Sequence, residues 1–243
     1  NAEQLNGFIS MLQTSVENAM TIRLDALIMR TINNMTAEVI ANELGAGAAT
    51  DLTATGIRAV NLLKAYNDEY TDTLTKEQAL SSPEFIRYSS YIISLHKDRI
   101  AKISKLFNVG GKDRFTPEDR LHLVLLSDFD KASNVFLNSD VYHKELVALP
   151  QGIETVPYWQ GSGADYSFGE ISKIDVKTSS GETVTADGIL GVMFDRDAVG
   201  IANLDRRVTT NYNPKAEFYT NFYKFDAGYF NDLNENFVVF FVG

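Results

Sequence analysis

The first part of the chain carries apolar residues at the spacing of one helix face. They recur every three or four positions across residues 5–44, a range without proline, and Gly45 then supplies a stop. This pattern predicts a single helix, much longer than the average globular helix of about 11–12 residues. The alternative is a pair of ordinary helices that meet near residues 20–23.

Two more helices are predicted before residue 110. The first follows the break at residues 45–49, and its apolar side consists of Ile57, Val60, Leu63, Tyr66 and Tyr70. The second has a clear start, because Ser82 can cap it and Pro83 suits the first helical position. Its apolar face continues to Phe107, and Gly110-Gly111 would end it.

Strand patterns dominate the second half of the chain. The apolar run Leu121–Leu126 predicts a buried strand, and a helix is expected after Ser127. Further strands are predicted at residues 153–158, 171–177, 182–186 and 189–194. The terminal run 237–242 would aggregate if exposed, so it is expected in a sheet. Of the 27 aromatic residues, 11 lie between Tyr212 and Phe241, and core packing is the expected role for them.

Helices that precede a mixed sheet, without a linker or an internal repeat, predict the α+β class. The length of 243 residues suits one large domain or two packed subdomains. A net charge of −10 repels DNA phosphates, which argues against a sequence-specific DNA-binding protein. The sequence has no apolar stretch of about 18 residues, so no membrane span is expected. Cysteine is absent, which excludes disulfides and thiolate sites.

The feature most typical of an enzyme is Asp195-Arg196-Asp197, directly after an apolar strand. Two carboxylates at a strand end can hold a divalent metal and a sugar diphosphate, which makes a metal-dependent sugar-transfer enzyme the alternative function. A motif of three residues is not specific to such enzymes, however, and Arg206 and Arg207 lie close to it in the sequence. Structural ion pairs of the two acids with Arg196, Arg206 or Arg207, in the same or a neighbouring subunit, are the favoured interpretation.

The three histidines do not form a recognisable site. They lack the HExxH pattern and the i, i+4 spacing of metal ligands, and His122 alternates with apolar residues in a predicted strand. The sequence has neither a phosphate-binding loop nor a nucleophile elbow. No catalytic residue, cofactor or metal is therefore predicted.

An ordered set of motifs over residues 120–243 resembles the major capsid proteins of tailed bacteriophages. It begins with the strand Leu121–Leu126 and its following helix. The later motifs are Ser139-Asp140-Val141-Tyr142, Val147-Ala148-Leu149-Pro150, Val156-Pro157-Tyr158-Trp159, the run 188–198, Asn211-Tyr212-Asn213-Pro214, the run 218–232 and the terminal run 237–242. The first half matches that family by architecture alone, through a long helix like its spine helix.

The resemblance implies the Hong Kong 97 capsid fold, which encapsulin shells share. In that fold a peripheral part carries the spine helix and a long sheet, and an axial part holds a central mixed sheet between helices. Residues 1–118 would then contain the spine helix, the rest of the peripheral domain and the start of the axial domain. Residues 119–200 would form the axial domain, and residues 201–243 would return to the peripheral sheet.

The same resemblance implies a structural subunit, without enzymatic activity, that builds hexamers and pentamers around double-stranded DNA. Its expected partners are itself, scaffold, portal and cement proteins, and packaged DNA without sequence-specific contact. Its expected location is the virion capsid, after assembly in the cytoplasm of the bacterial host. Family members carry an N-terminal arm and an extended loop before the spine helix. For this chain we expect that the arm and the loop lie upstream of Asn1, have been lost, or occur elsewhere in the chain.

Two charged groups are candidates for opposite sides of one contact between subunits. The acidic group consists of Asp68, Glu69 and Asp72, and the basic group consists of Lys97, Lys102 and Lys105. Rings of identical subunits need head-to-tail interfaces, which two different surfaces of one chain can supply.

Overall fold

The computed structural model describes residues 2–70, 73–102, 104–109, 112–139, 153–161, 164–203 and 206–243. It contains 44% helix and 28% strand, which confirms the α+β class. The predicted helix end at Gly110-Gly111, His143 and the motifs between residues 140 and 150 lie outside the described residues. The part of the chain that is described has no helix long and apolar enough to cross a bilayer.

The long helix predicted at the start of the chain is a single element. Helix α1 runs without interruption through Ala2–Leu44, a length of 43 residues, so the alternative of two helices meeting near residues 20–23 is wrong. Gly45 ends the helix with φ at +88°, and its amide donates to the carbonyl of Ala41 at 3.2 Å. A left-handed backbone at this position favours glycine, because a side chain would be strained there.

The second predicted helix begins later than its apolar pattern indicates. A short 3₁₀ turn, Gly47–Ala49, is followed by strand β1, Ala59–Asn61, and only then by helix α2, Leu62–Tyr70. Val60 is therefore a strand residue, paired in parallel with Phe240 at the other end of the chain. This distant strand partner overrides the local helical spacing.

Helix α3, Lys76–Ala79, precedes helix α4, Pro83–Ile100. The predicted cap of α4 is confirmed, because the Ser82 hydroxyl accepts from the amide of Phe85 at 3.3 Å. The predicted extension to Phe107 is wrong, since strand β2, Ser104–Val109, follows and pairs with strand β3, Lys112–Arg114. The amide of Thr116 donates to the carbonyl of Ile100 at 2.9 Å. This bond gives a partner to one of the last carbonyls of α4, which have none within the helix.

A five-stranded mixed sheet forms the centre of the larger structural unit. After a 3₁₀ turn at Glu118–Arg120 come strand β4, Leu121–Leu126, helix α5, Ser127–Ser139, and strand β5, Ile153–Val156. With β8, Ile189–Asp195, and β13, Phe237–Phe241, they give the order β1-β13-β8-β4-β5. Strands β8 and β13 are buried along their whole length, as their apolar runs predict.

The close approach of β8 and β4 depends on a glycine. A β-carbon at Gly191 would lie 2.4 Å from Cδ2 of Leu125 and 3.0 Å from the carbonyl oxygen of Val124. Helices α4 and α5 pack together, and the hydroxyls of Ser90 and Ser133 are 3.1 Å apart between them. The ring of His96 on α4 meets Phe240 of β13 edge-on, with centroids 5.5 Å apart.

A small hairpin lies between β5 and β8. Helix α6, Phe168–Ile171, leads into strands β6, Ile174–Lys177, and β7, Thr183–Ala186, which pair across the predicted turn. Trp159, the only tryptophan, is 2% exposed. Its indole nitrogen donates to the carbonyl of Ile189 at 2.9 Å, and its own carbonyl accepts from Asn33 at 2.7 Å.

The chain divides into two compact units. The larger unit comprises Ile32–Val199 and Asn231–Gly243 and contains the five-stranded sheet. Strand β13, which falls in the region predicted to return to a peripheral sheet, pairs with β8 in this unit.

The smaller unit comprises Asn1–Thr31 and Gly200–Phe230. Its β-structure is a two-stranded ribbon in two stretches. Strand β9, Val199–Asn203, pairs with β12, Ala227–Asn231, and β10, Arg207–Asn213, pairs with β11, Phe218–Lys224. Among its side chains that the structure describes, only Thr31 is buried.

Candidate functional site

The carboxylate of Asp195 is at the centre of a buried polar cluster. Asp195 ends strand β8 and is 2% exposed. Its oxygens accept from the Thr116 hydroxyl at 2.7 Å, from Nη2 of Arg120 at 3.1 Å and from the amide of Asp197 at 2.9 Å. Three donors therefore compensate the burial of this charge, as a stable buried carboxylate requires.

Arg120 connects both acids of the Asp195-Arg196-Asp197 motif. The same guanidinium nitrogen that bonds Asp195 also bonds the exposed carboxylate of Asp197. The charge of Asp195 and its hydrogen bond, followed by those of Asp197, raise the pKa of Arg120. Arg196 is exposed, and its backbone amide donates to the carbonyl of Arg120 at 2.9 Å.

The partner of the two acids within the chain is therefore not one of the arginines near them in sequence. Arg206 and Arg207 belong to the smaller unit, where Arg206 is exposed and Nη2 of Arg207 lies 2.9 Å from a carboxylate oxygen of Asp226. Arg120 and Thr116 were missed because they precede the motif by more than 70 positions. The available signal is the pairing of two apolar strands, which sets Leu121 opposite Asp195.

The surroundings of this cluster are also polar and hydrogen-bonded. The Asn236 side chain donates to Thr116 at 3.0 Å, and the Asn236 carbonyl accepts from the amide of Asp195 at 2.9 Å. Beside it, Arg114 and Glu235 are 2.6 Å apart, and partial burial raises the pKa of Glu235 despite this arginine. No cluster of three potential metal-ligating side chains occurs among the residues that the structure describes. With its oxygens committed to Thr116 and Arg120, Asp195 acts as a structural anchor between strands.

Two residues of the acidic group, Asp68 and Glu69, are exposed on α2 and lie beside a cluster of tyrosines. Asp68 bonds Lys64 at 3.1 Å, Glu69 is exposed, and Asp72 lies outside the described residues. Burial raises the pKa of Tyr88, and the nearby charge of Glu69 adds to this increase. This end of α2 therefore presents negative charge to solvent.

The basic group is only partly available for contacts. Lys97 lies 3.3 Å from the carboxylate of Glu118 in its own chain. Lys102 is exposed just after the end of α4. The side chain of Lys105 lies outside the described residues. Within the described part of the chain, Lys102 forms no ion pair with an acidic residue.

The aromatic residues of the last third of the chain have two different environments. Phe237, Phe240 and Phe241 are buried in β13, as predicted. For the ribbon the prediction of core packing is wrong, because eight of its large apolar side chains are exposed and none of those described is buried; the exposed ones are Val208, Tyr212, Phe218, Tyr219, Phe222, Tyr223, Tyr229 and Phe230. The sequence of β10, with Thr209, Thr210 and Asn211 in a row, lacks the polar–apolar alternation of a half-buried strand.

Comparison with known families indicates which kind of protein has this fold. A model of the Phi29-like phage major capsid protein family matches residues 1–241. The chain belongs to this family. No curated protein matches it.

Membership in the Phi29-like phage major capsid protein family confirms the resemblance found in the sequence. It makes the chain a structural subunit of a phage capsid, located in the virion capsid, in a family that self-assembles into a shell. Membership in this family implies a structural role for the chain.

Proposed function

We propose that the chain is a subunit of an icosahedral shell with the Hong Kong 97 fold, assembled from hexamers and pentamers around double-stranded DNA. The observation that carries this proposal is the match to the Phi29-like capsid family over residues 1–241. The uninterrupted helix Ala2–Leu44 supports it, because a long spine helix is expected of that fold.

The proposal assigns a role to each region of the chain. Residues 1–118 supply the spine helix and lead into the axial domain, residues 119–200 form most of the axial domain, and the ribbon within residues 201–243 is peripheral. Strand β13 joins the axial sheet in this assignment, since it pairs with β8. Scaffold, portal and cement proteins are further proposed partners, and assembly takes place in the cytoplasm of the bacterial host.

The charge of the chain supports a container for DNA. With a net charge of −10, the average surface repels phosphates, so packaged DNA is held without sequence-specific contact and without adhering strongly to the wall. Lateral contacts between copies then need local complementarity. We assign the acidic group Asp68, Glu69 and Asp72 and the basic group Lys97, Lys102 and Lys105 to opposite sides of one such contact.

Electron microscopy of the purified whole protein tests the proposal. We expect closed shells, or free hexamers and pentamers, at protein concentrations that favour assembly. Protein that stays monomeric at all salt and protein concentrations, with and without a co-expressed scaffold protein, would contradict the proposal. Calorimetric titration with Mn²⁺ tests the alternative sugar-transfer enzyme, which requires a stoichiometric site that is lost in Asp197→Asn.

A further inference from the structure

Three tyrosines from two helices form an aromatic cluster on the larger unit. Tyr66 and Tyr70 of α2 have ring centroids 4.9 Å apart, and the ring of Tyr88 on α4 lies 5.6 Å from the first and 5.7 Å from the second. Tyr66 is buried, whereas Tyr70 is 61% exposed, so the cluster extends from the interior to the surface. The buried ring therefore holds the exposed ring in place, and a rigid exposed tyrosine offers a large contact area at a low cost in conformational entropy.

The acids of α2 add negative charge to this cluster. Burial raises the pKa of Tyr88, and the nearby charges of Glu69 and Asp68 raise it further, so both carboxylates lie close to its hydroxyl. Asp68 is bonded to Lys64 at 3.1 Å, whereas Glu69 forms no ion pair within the described residues. Exposed aromatic rings beside an unpaired carboxylate attract a cationic group, because the ring faces are themselves electron-rich.

The other end of α4 carries the complementary charge. Arg99 and Lys102 are exposed there, and neither has an acidic partner in the part of the chain that the structure describes. Tyr88 and Lys102 are 14 positions apart, which corresponds to about 20 Å at a rise of about 1.5 Å per residue. A lysine side chain is much shorter than this distance, so Lys102 does not reach the tyrosines of its own chain. The two surfaces therefore meet only between two molecules.

A second copy of the chain meets this requirement. The end of α4 in one copy can lie against the tyrosines of the next copy, whose own α4 end is then free to contact a third. Head-to-tail contacts of this kind generate rings when the rotation closes. Because the chain belongs to a family that self-assembles into a shell, another copy is the partner that the charge pattern favours.

We propose that Tyr70 and Tyr88, together with Glu69, form a docking site for the Lys102 side chain of a neighbouring copy. The inference rests on the proposed function, because it needs a self-assembling subunit. It deepens the contact between the acidic and the basic group that was assigned there. The tyrosines supply the surface on which the lysine lies, and Glu69 supplies the opposite charge.

A charge exchange tests the pairing of Glu69 with Lys102. Glu69→Lys and Lys102→Glu should each raise the protein concentration for half-maximal particle formation. Combined, they restore the net charge of −10 and the opposite signs at the contact, so assembly should recover to within about threefold of the unmodified chain. Glu69→Lys with Lys173→Glu is the matched control, because it restores the net charge without restoring the pair.

The control should need at least about tenfold more protein than the combined exchange. Equal recovery in both double variants would mean that net charge alone determines assembly, and the docking site would be wrong. Normal assembly of the two single variants, or failure of the combined exchange to recover, would overturn it as well.

A second set of variants tests the aromatic ring. Tyr70→Phe keeps the ring and should assemble like the unmodified chain. Tyr70→Leu keeps an apolar side chain without a ring face and should need roughly tenfold more protein. Tyr166→Leu is the control, since Tyr166 is also 61% exposed in the larger unit. Equal assembly of the two leucine variants would overturn the role of the ring.

Crosslinking of the unmodified chain identifies the molecule that supplies the lysine, independently of the stability of any variant. A carbodiimide joins a carboxylate to an amine in direct contact, so particles assembled from a mixture of ¹⁴N and ¹⁵N chains should yield Glu69–Lys102 crosslinks that join the two isotopes. Glu69 crosslinks within one isotope, or to other lysines alone, would overturn the docking site and leave the shell proposal standing. Protein that never forms particles would contradict the proposed function and this contact with it.

Discussion

Nη2 of Arg120 lies 3.1 Å from Oδ1 of Asp195. Arg120 ends the turn before β4, and Asp195 is the last residue of β8, the antiparallel neighbour of β4. The ion pair therefore fastens these two strands where their pairing ends. The carboxylate is buried, whereas the guanidinium is partly exposed, so removal of the acid affects mainly the interior hydrogen bonds.

Asp195→Asn should reduce the free energy of unfolding by about 2–3 kcal/mol. The carboxylate accepts hydrogen bonds from Thr116 and Arg120, whereas the NH₂ group of an asparagine would face one of these two donors without accepting from it. Urea unfolding followed by Trp159 fluorescence measures the change. Asp197→Asn is the matched control, and little change is expected since its carboxylate is exposed. Equal losses in both variants would contradict the central role of Asp195.

Local signals in the sequence were sufficient to predict several elements. The cap at Ser82 with Pro83 fixes the start of α4, and the hairpin β6–β7 follows from alternation around a turn. Helix α1 follows from unbroken apolar spacing. In each case the determining interactions are within a few positions of one another, so the sequence contains them directly.

The features that were missed depend on distant parts of the chain. Val60 adopts a strand because Phe240 lies beside it, and Asp195 bonds Arg120 because β4 and β8 pair. The exposure of Tyr219 and Phe222 has a different cause. An apolar strand pattern predicts a strand but does not show whether its side chains pack against a core, so the exposure of these two rings does not follow from it.

Ser82→Ala should destabilise the chain by about 1 kcal/mol, because the amide of Phe85 loses its acceptor at the start of α4. The adjacent Ser81→Ala is the control, since its hydroxyl does not cap the helix and the residue is exposed. Thermal unfolding of the two variants checks the difference. A loss of the same size in Ser81→Ala would show that the effect is not capping.

His96 should make stability depend on pH. Burial lowers the pKa of His96 and the charge of Arg99 lowers it further, while the hydrogen bond from Nδ1 to the Ile92 carbonyl at 2.9 Å opposes this in part. As pH falls below about 6.5, the ordinary pKa of histidine, the unfolded chain takes up a proton before the native one does. Stability therefore decreases with falling pH until the native histidine is protonated too.

The measurement is the free energy of unfolding of the unmodified chain and of His96→Gln across that range. We expect the unmodified chain to lose stability more steeply below about pH 6.5. Both proteins should have parallel curves above it, where the histidine is neutral in both states. Parallel curves over the whole range would show that His96 does not contribute to the pH dependence.

A proline in the long helix should disrupt it. Ala26 is exposed within α1, so Ala26→Pro acts through the backbone, by removing an amide donor and clashing with the preceding turn, at a cost of about 3 kcal/mol or more. Ala26→Ser, which keeps the amide, is the control. Circular dichroism and particle counts should show loss of helix and of assembly in the proline variant alone. Normal particles from that variant would mean that assembly does not need a continuous α1.

Salt should promote assembly of the whole protein at first. Copies with a net charge of −10 repel one another, and this repulsion reaches about 30 Å at 0.01 M salt but only about 8 Å at 0.15 M. Close, partly buried charge pairs are screened much less than this long-range repulsion. Light scattering across a sodium chloride series should therefore show monomers at very low salt and oligomers at moderate salt. Assembly that weakens steadily as salt rises would mean that complementary charges outweigh the net repulsion.

Charge reversal separates the position of the lysines from their charge. Lys102→Glu with Lys105→Glu changes the net charge from −10 to about −14, and Lys173→Glu with Lys177→Glu changes it by the same amount elsewhere in the larger unit. Both variants should need more salt to assemble, because net repulsion increases equally. If Lys102 and Lys105 belong to the contact, their variant alone should remain defective at high salt, where screening removes the common effect. Recovery of both variants to the same extent would place these lysines outside the contact.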